Sequence, residues 1–156
     1  MTSCQFAVHY FFKNQETLQS FLRNVAECTR EQGYFLCTCF DGNLVFDLLR
    51  PLAEGMKFEL RSSSRQNLKG ARSEPRREPV SHKLFEVVKQ YTQSEFLEDE
   101  SSLGYAIDVY QDTINTSNRE YLVNFAYFKR MMENYGFVLL ESVEAKSSGF
   151  VAGSGL

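Results

Sequence analysis

The side chains with the most reactive chemistry in this sequence do not stand at spacings that use it. Its cysteines are Cys4, Cys28, Cys37 and Cys39, and its histidines are His9 and His82. No two cysteines form a CxxC pair, no two histidines stand at ligand spacing, and Cys37 and Cys39 lie inside an apolar run. The thiols therefore read as reduced, and no metal site is expected. There is also no Gly-rich phosphate loop and no nucleophile, base and acid in a recognisable order. On residue types alone no catalytic group stands out.

The elements that would position a site are easier to read. Cys4 to Tyr10 contains Phe6, Val8 and Tyr10 with no helix cap in front, which predicts a strand and its exit loop. Behind Asn14, an N-cap residue, Leu18, Phe21, Leu22, Val25 and Cys28 recur at helical spacing, and Gly33 offers a C-terminal stop. The nearly continuous apolar run from Tyr34 to Phe40 predicts a strand covered on both faces. Asp41-Gly42 then turns the chain into a short helix over Leu44 to Leu49 that Pro51 ends. Strand, helix, strand, helix is the order of a parallel sheet with crossover helices, so the fold class is α/β.

From Arg61 to His82 the periodicity vanishes. Six basic residues (Arg61, Arg65, Lys69, Arg72, Arg76, Arg77) face only Glu74 and Glu78, giving this stretch +4 and leaving −7 on the remainder of a chain whose net charge is −3. The composition predicts a mobile insertion loop, with RNA contact as the functional alternative. Lys83 to Tyr91 and Gly104 to Tyr110 return as strands of an antiparallel hairpin or meander on either side of the acidic turn Glu98-Asp99-Glu100, with Tyr105, Ile107 and Val109 on one face. Beyond Arg119, Phe125, Phe128, Met132 and Tyr135 predict a helix with Gly136 as its cap, and Phe137 to Val143 a last strand. The 156 residues, 43% hydrophobic, suit one domain with one core. No apolar run reaches the ~20 residues of a membrane span, and nothing reads as a signal peptide.

The run Cys4-Gln5-Phe6-Ala7-Val8-His9-Tyr10, the helix leading to Gly33-Tyr34-Phe35, and a Thr-containing strand resemble the mRNA cap guanine-N7 methyltransferases, closest to their poxvirus-like and giant-virus-like branches. Three further segments match in the same order: Ser102 to Gln111, Arg119-Glu120-Tyr121-Leu122-Val123-Asn124-Phe125, and Met132-Glu133-Asn134-Tyr135-Gly136-Phe137. The resemblance implies the C-terminal half of a class I methyltransferase, a Rossmann-like, mainly parallel sheet, with Lys83 to Tyr110 as an inserted antiparallel cap-binding meander. It implies S-adenosylmethionine as cofactor and transfer of its methyl group to guanine N7 of the mRNA 5′ cap. The capped 5′ end of mRNA is then the partner, together with other capping-enzyme domains or an N-terminal half that carries the cofactor's Gly-rich turn. That half has no counterpart ahead of Met1, so the chain alone is expected to be inactive.

By the same resemblance Gln5 lies at the cofactor, His9 and Tyr10 line the cap guanine, and Glu120 accepts from guanine N1–H and N2–H₂, a donor pair no other standard base presents. Phe40, where many relatives have proline, is a candidate to stack on the base. Read without the family, Gln5 is a polar strand end, His9 a loop residue and Glu120 an exposed charge at a helix N-terminus. Tyr121 and Phe125 read as core. No general base is expected, because N7 carries an in-plane lone pair and loses no proton. The unpaired cysteines and the lack of a signal peptide or membrane span read as intracellular, which for the family means the nucleus, or host cytoplasm or virion for a viral protein. The alternative function is a non-catalytic cap- or RNA-binding module, or an inactive remnant, acting with a partner.

Overall fold

The computed structural model describes residues 1–63, 81–147 and 149. Strand β1, Thr2–Gln5, pairs in parallel with β2, Phe35–Thr38, with Cys4 opposite Cys37 and Gln5 opposite Thr38. The crossover is helix α1, Gln15–Cys28. Its start is fixed locally: Asn14 Oδ1 accepts from Thr17 N–H at 2.9 Å and Thr17 Oγ1 reciprocates toward the Asn14 backbone, a capping box. Leu18, Phe21, Leu22 and Val25, as spaced in the sequence, are the residues it buries.

Gly33 does not end α1. The helix stops at Cys28, and Thr29 continues in extended geometry, its hydroxyl donating to Thr2 Oγ1 at 2.8 Å. Gly33 instead serves the turn that follows, where a Cβ would stand 2.7 Å from the Arg30 carbonyl. Strand β2 also departs from expectation. Its residues are half-buried or, at Thr38, exposed, because β1 is its one neighbouring strand among the described residues.

Helix α2, Gly42–Leu49, begins under Asp41, whose carboxylate accepts from the backbone N–H groups of Asn43 and Leu44. Its first residue must be glycine: a Cβ there would lie 2.2 Å from the Val123 carbonyl. At its other end Lys89, 6% exposed, donates to the carbonyls of Leu49 (3.3 Å) and Leu52 (2.9 Å), a cation where the helix dipole is negative.

A second sheet is an antiparallel meander in the order β3-β4-β5-β6, formed by Lys57–Ser63, Ser81–Lys89, Ala106–Gln111 and Thr116–Tyr121. Arg61 to Ser63 and Ser81 to His82, at the ends of the stretch expected to be a mobile loop, are instead paired strand. Residues 64–80, where its mobility was expected, lie outside the described residues. Strand β6 was not anticipated: Thr116-Ser117-Asn118-Arg119-Glu120-Tyr121 carries no apolar alternation, and its pairing with β5 makes it a strand. Tyr105, Ile107 and Val109 are all buried, as the alternation predicted.

Helix α3, Phe125–Glu133, is capped by Asn124, fully buried, which accepts from Tyr127 N–H at 3.1 Å and donates to Leu97 O at 3.0 Å. It ends as Gly136 predicted. Gly136 has φ +83°, its N–H reaches Glu133 O, and Phe137 N–H reaches Met132 O, the paired bonds of a Schellman motif. Phe125 is 46% exposed and not core, whereas Tyr121 packs at the core's edge. Phe137 to Val143 is not a strand. Val138 is 85% exposed, no described strand lies beside it to pair with, and helix α4, Ser142–Ser147, begins within the stretch.

Two apolar clusters result. One joins the residues after β1 to α1 and α3, centred on Phe12, Leu18, Leu22 and Phe128. The other packs α2 on the meander through Phe46, Leu49, Val87 and Val109. Among the described residues no helix is long and apolar enough to cross a membrane.

Candidate nucleotide-binding site

The chain leaves β1 through Phe6, a non-glycine residue at φ +48°. That left-handed geometry costs energy for a bulky side chain. It is held by two bonds from the Phe6 N–H, to Thr38 O at 2.9 Å and Thr38 Oγ1 at 3.1 Å. A 3-10 segment, Val8–Lys13, follows. It places Val8 and Phe12 in the core at 0% exposure, buries His9 and leaves Tyr10 45% exposed against the His9 ring, centroids 4.3 Å apart.

This segment packs on β6. His9 Nε2 stands 3.6 Å from Glu120 Oε2, close for charges but too long for a hydrogen bond. Glu120 is neither exposed nor at a helix end: it lies within β6 and is 8% exposed. Four buried side-chain polar atoms among the described residues have no hydrogen-bond partner, and three of them are His9 Nδ1, His9 Nε2 and Glu120 Oε2. Such groups are costly unless something completes them. Burial raises the Glu120 carboxyl to about 7 and lowers the His9 imidazole.

A pocket of ≈ 260 Å³ opens over this pair, lined by Phe6, His9, Tyr10, Phe40, Gln111, Ile114, Asn118 and Glu120. Four of the five expected site residues, His9, Tyr10, Phe40 and Glu120, thus meet in one concavity. Phe40 sits on its apolar side, 6.4 Å from the Phe6 ring and 6.0 Å from Phe85. Gln5 is not in the lining. It is exposed at the end of β1, accepting from Thr38 Oγ1 at 2.8 Å and donating to Ser3 Oγ. Phe6, Gln111, Ile114 and Asn118 were not anticipated. Phe6 was legible as an aromatic between Gln5 and His9, but the other three join only through the β5–β6 pairing. A second concavity, lined by Gln93, Glu95, Leu97 and Tyr105 among others, holds no unpartnered buried charge.

The thiols take no part. Cys37 is pushed up to about 12 and Cys39 to about 11, chiefly by burial, so both stay protonated at neutral pH. Among the described residues no cluster of His, Cys, Asp or Glu could hold a metal ion.

An aromatic-walled pocket with an unpartnered carboxylate at its base suits a planar heterocycle that carries N–H donors. Comparisons with known proteins place the chain in a family. The chain is 34% identical over 145 residues, 90% of its length, to a probable mRNA-capping enzyme of Acanthamoeba polyphaga mimivirus, of which the match covers 11%. Over 50 residues, 32% of this chain and 12% of the relative, it is 38% identical to the mRNA cap guanine-N(7) methyltransferase of Drosophila melanogaster. The chain therefore spans a small part of either relative's length. A family model, the mRNA (guanine-N(7))-methyltransferase domain, matches residues 1–149, so the chain belongs to that family.

Proposed function

We propose that the pocket receives the guanine of an mRNA 5′ cap for methylation at N7, and that this chain supplies the guanine-recognising part of the enzyme. The observation that carries this reading is the buried Glu120 carboxylate, which has no hydrogen-bond partner on Oε2 and belongs to a residue lining an aromatic-walled pocket. Ionised, it accepts from guanine N1–H and N2–H₂ together. Adenine offers no such pair. Phe6, Tyr10 and Phe40 supply faces and edges for the ring, and His9 a donor or acceptor at its rim.

The role asked of these residues is modest. Guanine N7 presents its lone pair without losing a proton, so a general base is not required. Glu120 fixes the ring and its negative charge faces the positive charge that methylation places on it, a stabilisation that grows along the reaction.

S-adenosylmethionine, when bound, supplies an electrophilic methyl group. Ligands of open α/β sheets bind outside the carboxyl ends of parallel strands. Here that edge presents the exposed Gln5 carboxamide and Phe6, which fits one wall of such a site beside the pocket. In this reading β1 and β2 belong to a Rossmann-like sheet and the meander is the cap-binding insert.

Calorimetry with guanosine- and adenosine-capped dinucleotides tests the reading directly. Preference for the guanosine cap by tenfold or more is expected, and equal affinity overturns it.

A further inference from the structure

On the face of the meander that packs on α2, β4 and β5 are apolar and β6, an edge among the described residues, is not. Val87 and Val109, on β4 and β5, are each 2% exposed and stand in one row with Asn118 of β6. In the next row Ile107, also 2% exposed, stands opposite Glu120. Cross-strand partners share a face, so Asn118 and Glu120 point the same way as these valines and the isoleucine, into the pocket. An inward polar residue can protect an edge strand from pairing with other chains. Edge protection does not require a carboxylate buried without a partner, and Glu120 is one. Asn118 is half-buried, and among the described residues its carboxamide has no hydrogen bond.

The lining has a definite order of depth. Glu120 is 8% exposed, Asn118 is half-buried, and Ile114 in the β5–β6 turn is 57% exposed. Asn118 lies two residues from Glu120, about 6.6 Å along the strand at 3.3 Å per residue. A nucleoside whose Watson–Crick edge meets Glu120 has its base deepest and its ribose next, with the phosphates at the mouth. With the base at Glu120, Asn118, also in the lining and nearer the mouth by exposure, is the residue set to meet the ribose. A carboxamide offers both a donor and an acceptor, and the ribose 2′-hydroxyl is both as well.

We infer that Asn118 is a specificity residue that hydrogen-bonds the 2′-hydroxyl of the cap guanosine, so that the site distinguishes a ribonucleoside cap from a 2′-deoxy one. The inference rests on Glu120 holding the guanine, as proposed above. One neutral hydrogen bond corresponds to about three- to tenfold in affinity.

The test is calorimetry on this chain with two capped dinucleotides that differ only in whether the cap is guanosine or 2′-deoxyguanosine. The unsubstituted chain is expected to bind the deoxy cap three- to tenfold more weakly, a comparison that leaves the fold untouched. Asn118→Ala is expected to lose the same factor against the guanosine cap and none against the deoxy cap, with Asn118→Ser as the smaller perturbation and melting temperatures verifying both folds. Equal binding of the two caps by the unsubstituted chain, or discrimination that survives in Asn118→Ala, overturns the role of Asn118 while guanine recognition stands. Failure of the unsubstituted chain to bind either cap overturns guanine recognition and this inference with it.

Discussion

Replacing Glu120 by glutamine should make the free chain more stable at alkaline pH while making it a worse guanine binder. Burial raises the Glu120 carboxyl from its ordinary 4.5 to about 7. Between those values the folded chain keeps a proton that the unfolded chain has released, so this group's contribution is fully present below pH 4.5 and is lost as pH rises through 7. The gap between 4.5 and about 7, at ~1.36 kcal/mol per pH unit, comes to ~3 kcal/mol, with ~2.5 kcal/mol of it falling between pH 5 and pH 8. Glu120→Gln has nearly the same shape and no charge to desolvate, so its stability should lack this component. Urea denaturation of parent and variant at pH 5 and pH 8, followed by circular dichroism, reads the difference between their pH dependences and cancels the other carboxylates. Parallel curves would refute the argument, since they would mean that Glu120 is solvated in the folded chain. The same variant should bind the guanosine cap ~2–3 kcal/mol more weakly, because one acceptor becomes a donor and the charge assistance disappears.

Three further outcomes follow from the same structure. Guanosine-cap affinity should weaken as pH falls below about 7, approaching tenfold per pH unit, because the protonated Glu120 carboxyl no longer accepts both guanine donors; calorimetry at pH 5.5, 6.5 and 7.5 measures it, and a flat profile contradicts it. Gly42→Ala should lower the melting temperature by an amount equivalent to ~1–3 kcal/mol, since its Cβ would meet the Val123 carbonyl at 2.2 Å. Helix propensity alone would make the substitution stabilising by ~1 kcal/mol, so the sign decides. Lys89→Met should cost ~1–3 kcal/mol in urea denaturation, because the carbonyls of Leu49 and Leu52 lose a buried donor.

The local code was legible wherever a few adjacent residues decide an outcome. Asn14 starts α1, Asp41 starts α2, Gly136 ends α3, and the alternation that begins at Tyr105 runs on through Ile107 and Val109 of β5. Each of these acts within one or two turns or along one strand, so neighbouring residue types suffice to reveal it. The ordered motifs from Gln5 to Gly136 likewise pointed to the family without any coordinates.

Tertiary structure alone decided the rest. Strand β6 has no hydrophobic pattern because it is, among the described residues, an edge whose inward face is polar, and its hydrogen bonds to β5 make it a strand. Phe137 to Val143 has the composition of a strand yet forms none among the described residues, since a strand needs a neighbour and a helix does not. The site depends on the same kind of information. Glu120 has the composition of a surface charge, and it becomes a buried, unpartnered acceptor only because the 3-10 segment bearing His9 closes over β6. Desolvation is a property of what surrounds a group, so neither the raised carboxyl nor the pocket beside Asn118 could be read from residue order.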